Sequence, residues 1–337
     1  MNLAKSWSLP FALLCLLGSP LWAQQGPGAV TPPTIADVAL LGWDAAGLRN
    51  PVEYPQRGHF ALVFAADGTR LMVGGRTILE LAEQRVCSLG DSQLIGSAGG
   101  AWFVSWTQGG LLRVDGVHAA EPILSAPESA QLLRERGELA LSPSGRELLG
   151  HGSYYSHHSG EIVRIDLATR RRTVLPECTL AITAIAWSPN ERLLALAFAV
   201  RDAGIAYGVA VFDPDGKRLV FQRADRERPV TALAFDLDGS SLLWSGRHLQ
   251  RLDLRTGERT AWGDGDLQWV QPITADHVLG HDGRRWTWFA SRTLRTVQQV
   301  DAKLPGDASL SVTAIAPARD VAAVAASDGL HLYRLGK

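Results

Sequence analysis

Apolar and polar positions alternate along most of the chain, and the alternation recurs. Three segments nearly coincide: ITAIAW at 182–187, VTALAF at 230–235 and VTAIAP at 312–317. Each begins with a β-branched residue, alternates small and large apolar side chains, and runs into a polar turn. A period of two is the signature of a strand. The residues after each copy repeat as well. WSPNERLLALAF, FDLDGSSLLWSG, LSPSGRELLGHG and FAADGTRLMVGG each read as strand, turn and second strand. Asp-Gly between two alternating runs is a strong hairpin signal. A third strand then ends in an apolar residue and Asp, as in VRID at 163–166, VAVFD at 209–213, QRLD at 250–253 and LRVD at 112–115. Turn residues and a fourth strand come next.

The three near-identical segments lie 48 and 82 residues apart. The second interval is close to two repeat lengths, so a degenerate copy is expected between them. Four-stranded units of roughly 45 residues are the blades of a β-propeller. One blade cannot bury both its faces, so blades must stack around an axis. The expected fold is all-β: a seven-bladed propeller of four-stranded antiparallel blades. First strands are expected to begin near His59, Asp91, Arg136, Ile182, Val230, Leu267 and Val312. The last unit has only three strands before Lys337. ADVALLGW at 36–43 has no other partner, so it is expected to supply the fourth strand and close the ring. Closure removes an open edge. Ser125 and Glu128 are spaced as a capping box, which predicts a short helix between blades two and three.

These repeats carry a resemblance. WSPN–LLALAF, VAVFDPDG and WDAAG at 43–47 resemble WD-repeat β-propellers. EIVRIDLATRRRTVLP with the ITAIAWSPNERLLAL downstream of it is similar to TolB-type periplasmic propellers. The chain departs from the WD pattern in two ways. Gly58-His59 directly abuts its strand, and most third strands end in apolar-Asp without Trp. The shared motifs are structural, so no binding residue carries over from either family.

The N-terminus changes the picture of compartment. Lys5 precedes an apolar run from Leu9 to Leu17, which Gly18, Ser19 and Pro20 interrupt before Leu21-Trp22-Ala23. This is the layout of a cleaved secretory signal peptide. The run is about half the roughly 20 residues of a membrane span. The expected organisation is a signal peptide at 1–23, a Gly/Pro-rich leader at 24–34 and a propeller at 35–337, in the periplasm or secreted. Beyond Ala23 the chain keeps 314 residues, and loss of Lys5 leaves 32 Lys+Arg against 34 Asp+Glu. That balance gives no electrostatic reason for a nucleic-acid partner. Cys87 and Cys178 sit at similar phases of non-adjacent repeats, too far apart for the close Cα approach of a disulfide, so two free thiols are expected.

Candidate chemistry is sparse. The chain has no H-E-x-x-H, C-x-x-C, G-x-S-x-G or P-loop pattern. DPDG at 213–216, DLDG at 236–239 and GDGD at 263–266 are too short to ligate calcium alone, and turn chemistry accounts for them. Trp187, Trp244, Trp286 and Trp288 read as packing between blades. HGSYYSHHSG at 151–160 offers His151, His157 and His158 as metal ligands, but neighbouring side chains of an extended segment diverge. No cofactor is expected.

Connections from second to third strands share one end of a propeller. Aligned there are Trp106; Tyr154, Tyr155, His157 and His158; Arg201, Asp202 and Tyr207; Arg247 and His248; and His281, Asp282, Arg284 and Arg285. Blades three and four have the long connections, 152–160 and 201–208. Enlarged loops on a regular scaffold are where binding tends to sit, and Arg and Tyr favour protein interfaces. The sequence therefore points to a monomeric, non-catalytic binding or scaffolding module for another periplasmic or extracellular protein. The alternative is a propeller enzyme, a metal-assisted hydrolase or lactonase, or an oxidoreductase accessory subunit, with its site at the central channel.

Overall fold

A computed structural model of the chain describes residues 35–42, 62–74, 77–83, 85–88, 93–97, 102–107, 110–114, 121–128, 138–151, 162–175, 182–201, 205–223, 229–263, 267–302, 310–326 and 329–335, some strand residues by backbone alone. They belong to a compact unit spanning Pro32–Lys337.

The described strands form seven sheets of four antiparallel strands. The first strand in the chain, β1 (Ile35–Gly42), belongs to the last sheet. Blade one is β2–β5 (Leu62–Phe64, Arg70–Val73, Thr77–Glu80, Arg85–Ser88). Blade two is β6–β9 (Gln93–Ser97, Phe103–Thr107, Gly110–Val114, Glu121–Ser125). Blade three is β10–β13 (Glu138–Leu141, Glu147–His151, Ile162–Asp166, Arg172–Leu175). Blade four is β14–β17 (Ile182–Trp187, Leu194–Arg201, Ile205–Phe212, Arg218–Arg223). Blade five is β18–β21 (Ala232–Phe235, Ser241–Ser245, Leu249–Asp253, Arg259–Trp262). Blade six is β22–β25 (Trp269–Pro272, His277–His281, Arg285–Ala290, Thr296–Asp301). Blade seven is β26–β28 (Leu310–Ile315, Val321–Ala326, Gly329–Leu335) with β1 as its outermost strand. The first strands all begin within three residues of their expected positions. The closing strand is as expected: Ile35 pairs with Leu335 and Gly42 with Gly329.

Packing explains why a period of two yields a ring. In β15, Leu194, Leu196 and Phe198 face blade three, where they meet Leu149, Ile162 and Leu175. The alternate residues Ala195 and Ala197 face blade five, where Trp244 fills the space they leave. Large side chains on one face and small ones on the other let twisted blades nest. Seven apolar clusters result, one for each pair of neighbouring blades. The one joining Leu62, Leu71 and Leu79 to Ala323, Ala325 and Leu330 completes the circle. Trp244, Trp286 and Trp288 are fully buried in these seams, as expected of packing residues.

The recurrent apolar-Asp has a local cause. Asp166 accepts hydrogen bonds from the N–H groups of Ala168 and Thr169, at 3.0 and 2.9 Å. Asp213 accepts from Asp215 and Lys217, and Asp253 from Arg255 and Thr256. Each carboxylate thus closes the turn at the end of its strand. The capping box forms as well. Ser125 N–H and Oγ both donate to the Glu128 carboxylate at 2.8 Å, and a helical turn covers 126–128. Cys87 is a free, half-buried thiol; Cys178 lies outside the described residues.

Candidate functional site

Antiparallel pairing sorts the connections into two ends. Turns between first and second strands, and between third and fourth, lie at one end. Second-to-third connections and blade-to-blade links lie at the other.

The tight-turn end is closed by its own bonds. Gly68, Gly145, Glu191, Gly239 and Arg319 occupy equivalent places in five blades, all with positive φ. Each donates its N–H to the carbonyl three residues back. The positions without glycine reach toward the preceding blade. Glu191 accepts from Ser144 N–H and Oγ, and Arg319 donates to the Pro272 carbonyl. Arg170, another residue with positive φ, donates to the Ile123 carbonyl.

At the opposite end the expected site residues separate into three groups. Tyr154, Tyr155, His157, His158 and Asp202 lie outside the described residues. His151 and Arg201 are the last residues of their strands, and Trp106 lies inside β7, all three described by backbone alone. The blade-four connection differs from expectation. The two strands stay paired as far as Arg201 opposite Ile205, so most of the expected 201–208 loop is strand. Tyr207 is accordingly a buried strand residue opposite Ala199, not a rim residue.

Arg247 and His248 do form a short turn between β19 and β20, with Arg247 exposed. His248 Nδ1 lies 2.7 Å from the Gly263 carbonyl, which ties the turn to the link leaving β21.

Blade six brings the other pair into a pocket. Gln268, Asp282, Gly283, Arg284, Arg285 and Asp301 line a cavity of about 510 Å³. Three connections build it: the residue before β22, the β23–β24 turn and the end of β25. Asp282 organises the turn. Its Oδ1 accepts from the N–H groups of Arg284 and Arg285 at 2.9 and 2.8 Å, and its Oδ2 accepts from the Arg285 guanidinium at 3.1 Å. Burial pushes the Asp282 carboxyl up, but these bonds outweigh it and hold it below the usual carboxylate range. Gly283 has φ +95°, and a Cβ there would sit 2.9 Å from the Gln268 amide nitrogen. The positive φ favours glycine here, while the glutamine side chain could move aside.

His281, expected at the rim, is instead fully buried beneath this turn. Its ring stacks on Trp269 at 5.7 Å and meets Trp286 edge-on at 5.2 Å. Gly283 N–H donates to its Nδ1 at 3.3 Å, so the proton sits on Nε2, which donates to Thr313 Oγ1 of blade seven at 2.8 Å. Gln268 N–H donates to its carbonyl at 2.8 Å. Burial lowers the imidazole pKa to about 4. His281 is thus a neutral post that holds two pocket walls and the next blade together.

The sequence pattern points to Arg284 and Arg285 but not to Gln268 or Asp301. Gln268 precedes β22 and Asp301 ends β25, where it pairs across the strand with Arg285, so the register of the blade brings them to one cavity. Among the described residues, no three His, Cys, Asp or Glu side chains are grouped to hold a metal ion.

No model of a known protein family matches the chain, and no curated protein matches it. Solved structures do. A chain of the mitotic checkpoint complex superposes with a TM-score of 0.61 at 13% identity, covering 97% of this chain and 100% of that one. The likeness is one of overall fold.

Proposed function

We propose that this protein is exported by its N-terminal segment and acts as a non-catalytic binding module. Its partner is another periplasmic or extracellular protein, engaged at the end that carries the second-to-third connections. One observation carries the reading: the two ends of the propeller differ. At the tight-turn end, backbone bonds close the turns, and Glu191 and Arg170 reach the preceding blade. The opposite end has exposed Arg247 and the pocket of Arg284 and Arg285. Loops displayed on a rigid scaffold are suited to recognition. The similarly shaped chain belongs to a multi-protein complex, which supports an interaction role. Export rests on the charged, apolar and small-residue order of Met1–Ala23.

Site-specific photo-crosslinking tests the face. Probes replacing Arg247 or Arg284 should give a partner adduct in the exported fraction. Probes at Arg255 or Arg295, in tight turns, should give none. Adducts from the tight-turn positions alone would refute the assignment. Mass spectrometry of the native N-terminus tests export, with a cytosolic protein still beginning at Met1 as the contrary result.

A further inference from the structure

The position that His281 fills has a counterpart one blade earlier. Ser245 ends β19 as His281 ends β23. The Ser245 carbonyl accepts the N–H of Thr231, as the His281 carbonyl accepts that of Gln268. Both side chains reach across a seam to the next blade. The Ser245 hydroxyl donates to the Leu267 carbonyl at 2.9 Å, and His281 Nε2 donates to Thr313 Oγ1 at 2.8 Å. The hydroxyl has no charge to gain. The imidazole has one, and it also accepts a bond: Gly283 N–H donates to Nδ1 at 3.3 Å. A backbone N–H can only donate, so that bond needs a bare Nδ1. A proton on Nδ1 would set two donors against each other.

We propose that His281 is an acid-operated latch on the β23–β24 turn: proton uptake at Nδ1 expels the Gly283 N–H and releases the turn, while blades six and seven stay packed. The cavity supplies the route. Gly283 and Gln268 both line it, and both are bonded to His281, so one layer of residues separates the ring from the cavity. The turn is the side that yields. Gln268, Arg284 and Arg285 are exposed, whereas Trp269 and Trp286 on the other side belong to the apolar seam with blade seven. Among the described residues, nothing beside the ring is placed to hold a new charge. Asp282 acts on it from the next position, but its oxygens already accept from Arg284 and Arg285. β22 presents Trp269, β24 presents Trp286 and β26 presents Thr313, none of them a charged group. Behind Trp286, β28 brings Tyr333, whose hydroxyl donates to the Ala302 carbonyl, and His331 stacked on Tyr333 at 6.0 Å. The remaining charged residues at the cavity are Arg284, Arg285 and Asp301. A buried imidazolium is therefore relieved by water, which displacement of the turn admits. Burial lowers the pKa of His281 to about 4, so the latch is closed at neutral pH and opens in acid.

Amide exchange followed by NMR on the full chain, stepped from about pH 7 to about pH 4.5 and corrected for the intrinsic rate, reads the latch directly. Protection of Gly283 and Gln268 should fall at least about tenfold relative to Thr231, the equivalent amide at the Ser245 seam. The ring nitrogen shifts of His281 should follow the same midpoint. His281→Gln has a side chain that cannot take up the proton, and it should abolish the acid response of Gly283. Asp282→Asn removes a charge that favours the proton, so it should move the midpoint to lower pH and keep the response. Ring titration without loss of Gly283 protection would overturn the proposal. So would parallel loss at Thr231, which means general melting, or an acid response that survives in His281→Gln. Should that variant not fold, ring and amide midpoints that differ in the unaltered chain would overturn it equally.

Discussion

Two seams of the ring each bury a polar side chain that reaches the next blade, and they do so with opposite chemistry. Between blades three and four the side chain is Arg164, 3% exposed. Its guanidinium donates to Glu147 at 2.7 Å and to the blade-four carbonyls of Asp213 and Glu191 at 3.0 and 3.2 Å. Between blades six and seven it is His281, neutral, stacked among Trp269 and Trp286 and bonded to Thr313. A permanent charge can be buried only with a carboxylate and a full set of acceptors. An imidazole can be buried by shedding its proton. The second seam is sensitive to acid because its polar group can regain a charge it has nowhere to place.

The largest effect comes from breaking the charged seam. Arg164→Ala leaves the half-buried Glu147 without its guanidinium and two carbonyls without a donor. It should cost about 3–5 kcal/mol in urea denaturation. Arg164→Met paired with Glu147→Leu should recover the part of that loss that comes from the unpaired carboxylate, because an apolar pair needs no counter-charge.

The neutral seam should respond to pH. The folded pKa of His281, about 4, lies below its ordinary value of 6.5, so the unfolded chain binds the proton more readily. Stability from this group is fully present above pH 6.5 and is lost as pH falls toward 4. The loss over that window should approach about 3 kcal/mol. Equilibrium unfolding at several pH values measures it, and His281→Gln should flatten the slope in that window. An unchanged slope in the variant would refute the role.

A smaller effect separates strain from bonding in the tight turns. Glu191 holds φ 55° where Gly145 and Gly239 stand in neighbouring blades. Glu191→Ala keeps the strained backbone and loses the bonds to Ser144, so it should cost about 1–2 kcal/mol. Glu191→Gly relieves roughly 1 kcal/mol of left-handed strain and should be the milder of the two. The smallest effect is expected at the other end, where Arg247→Gln should change stability by under about 0.5 kcal/mol. Its consequence should appear in partner crosslinking alone.

Legibility tracks the range of the interactions. Strand order, blade number and the closing strand are readable because a period of two and a turn signal are local. The capping box of Ser125 and Glu128 is readable for the same reason. The sequence misplaces Tyr207 because Gly204 and Asp202 look like a long loop, whereas the paired backbone carries the strands to Arg201 and Ile205. It misplaces His281 by one position: the strand keeps it, and the turn begins at Asp282. The pocket itself is only half visible. Its arginines share a turn, but Asp301 joins them as the cross-strand partner of Arg285 and Gln268 through its bond to the His281 carbonyl, and these depend on the exact register of the blade.

The pairing of Ile35–Gly42 with Gly329–Leu335 has a consequence for the timing of folding. It joins the two strands of the propeller farthest apart in sequence, and contacts of that separation are the slowest to form. The first strand emerges from the ribosome long before its mate exists. Until the last hairpin arrives, β1 has no partner strand and presents an unpaired backbone edge, the kind of surface that draws chains into aggregates. The ring therefore completes in one late step, and a chain truncated within its last ten or so residues should accumulate as an unlatched intermediate.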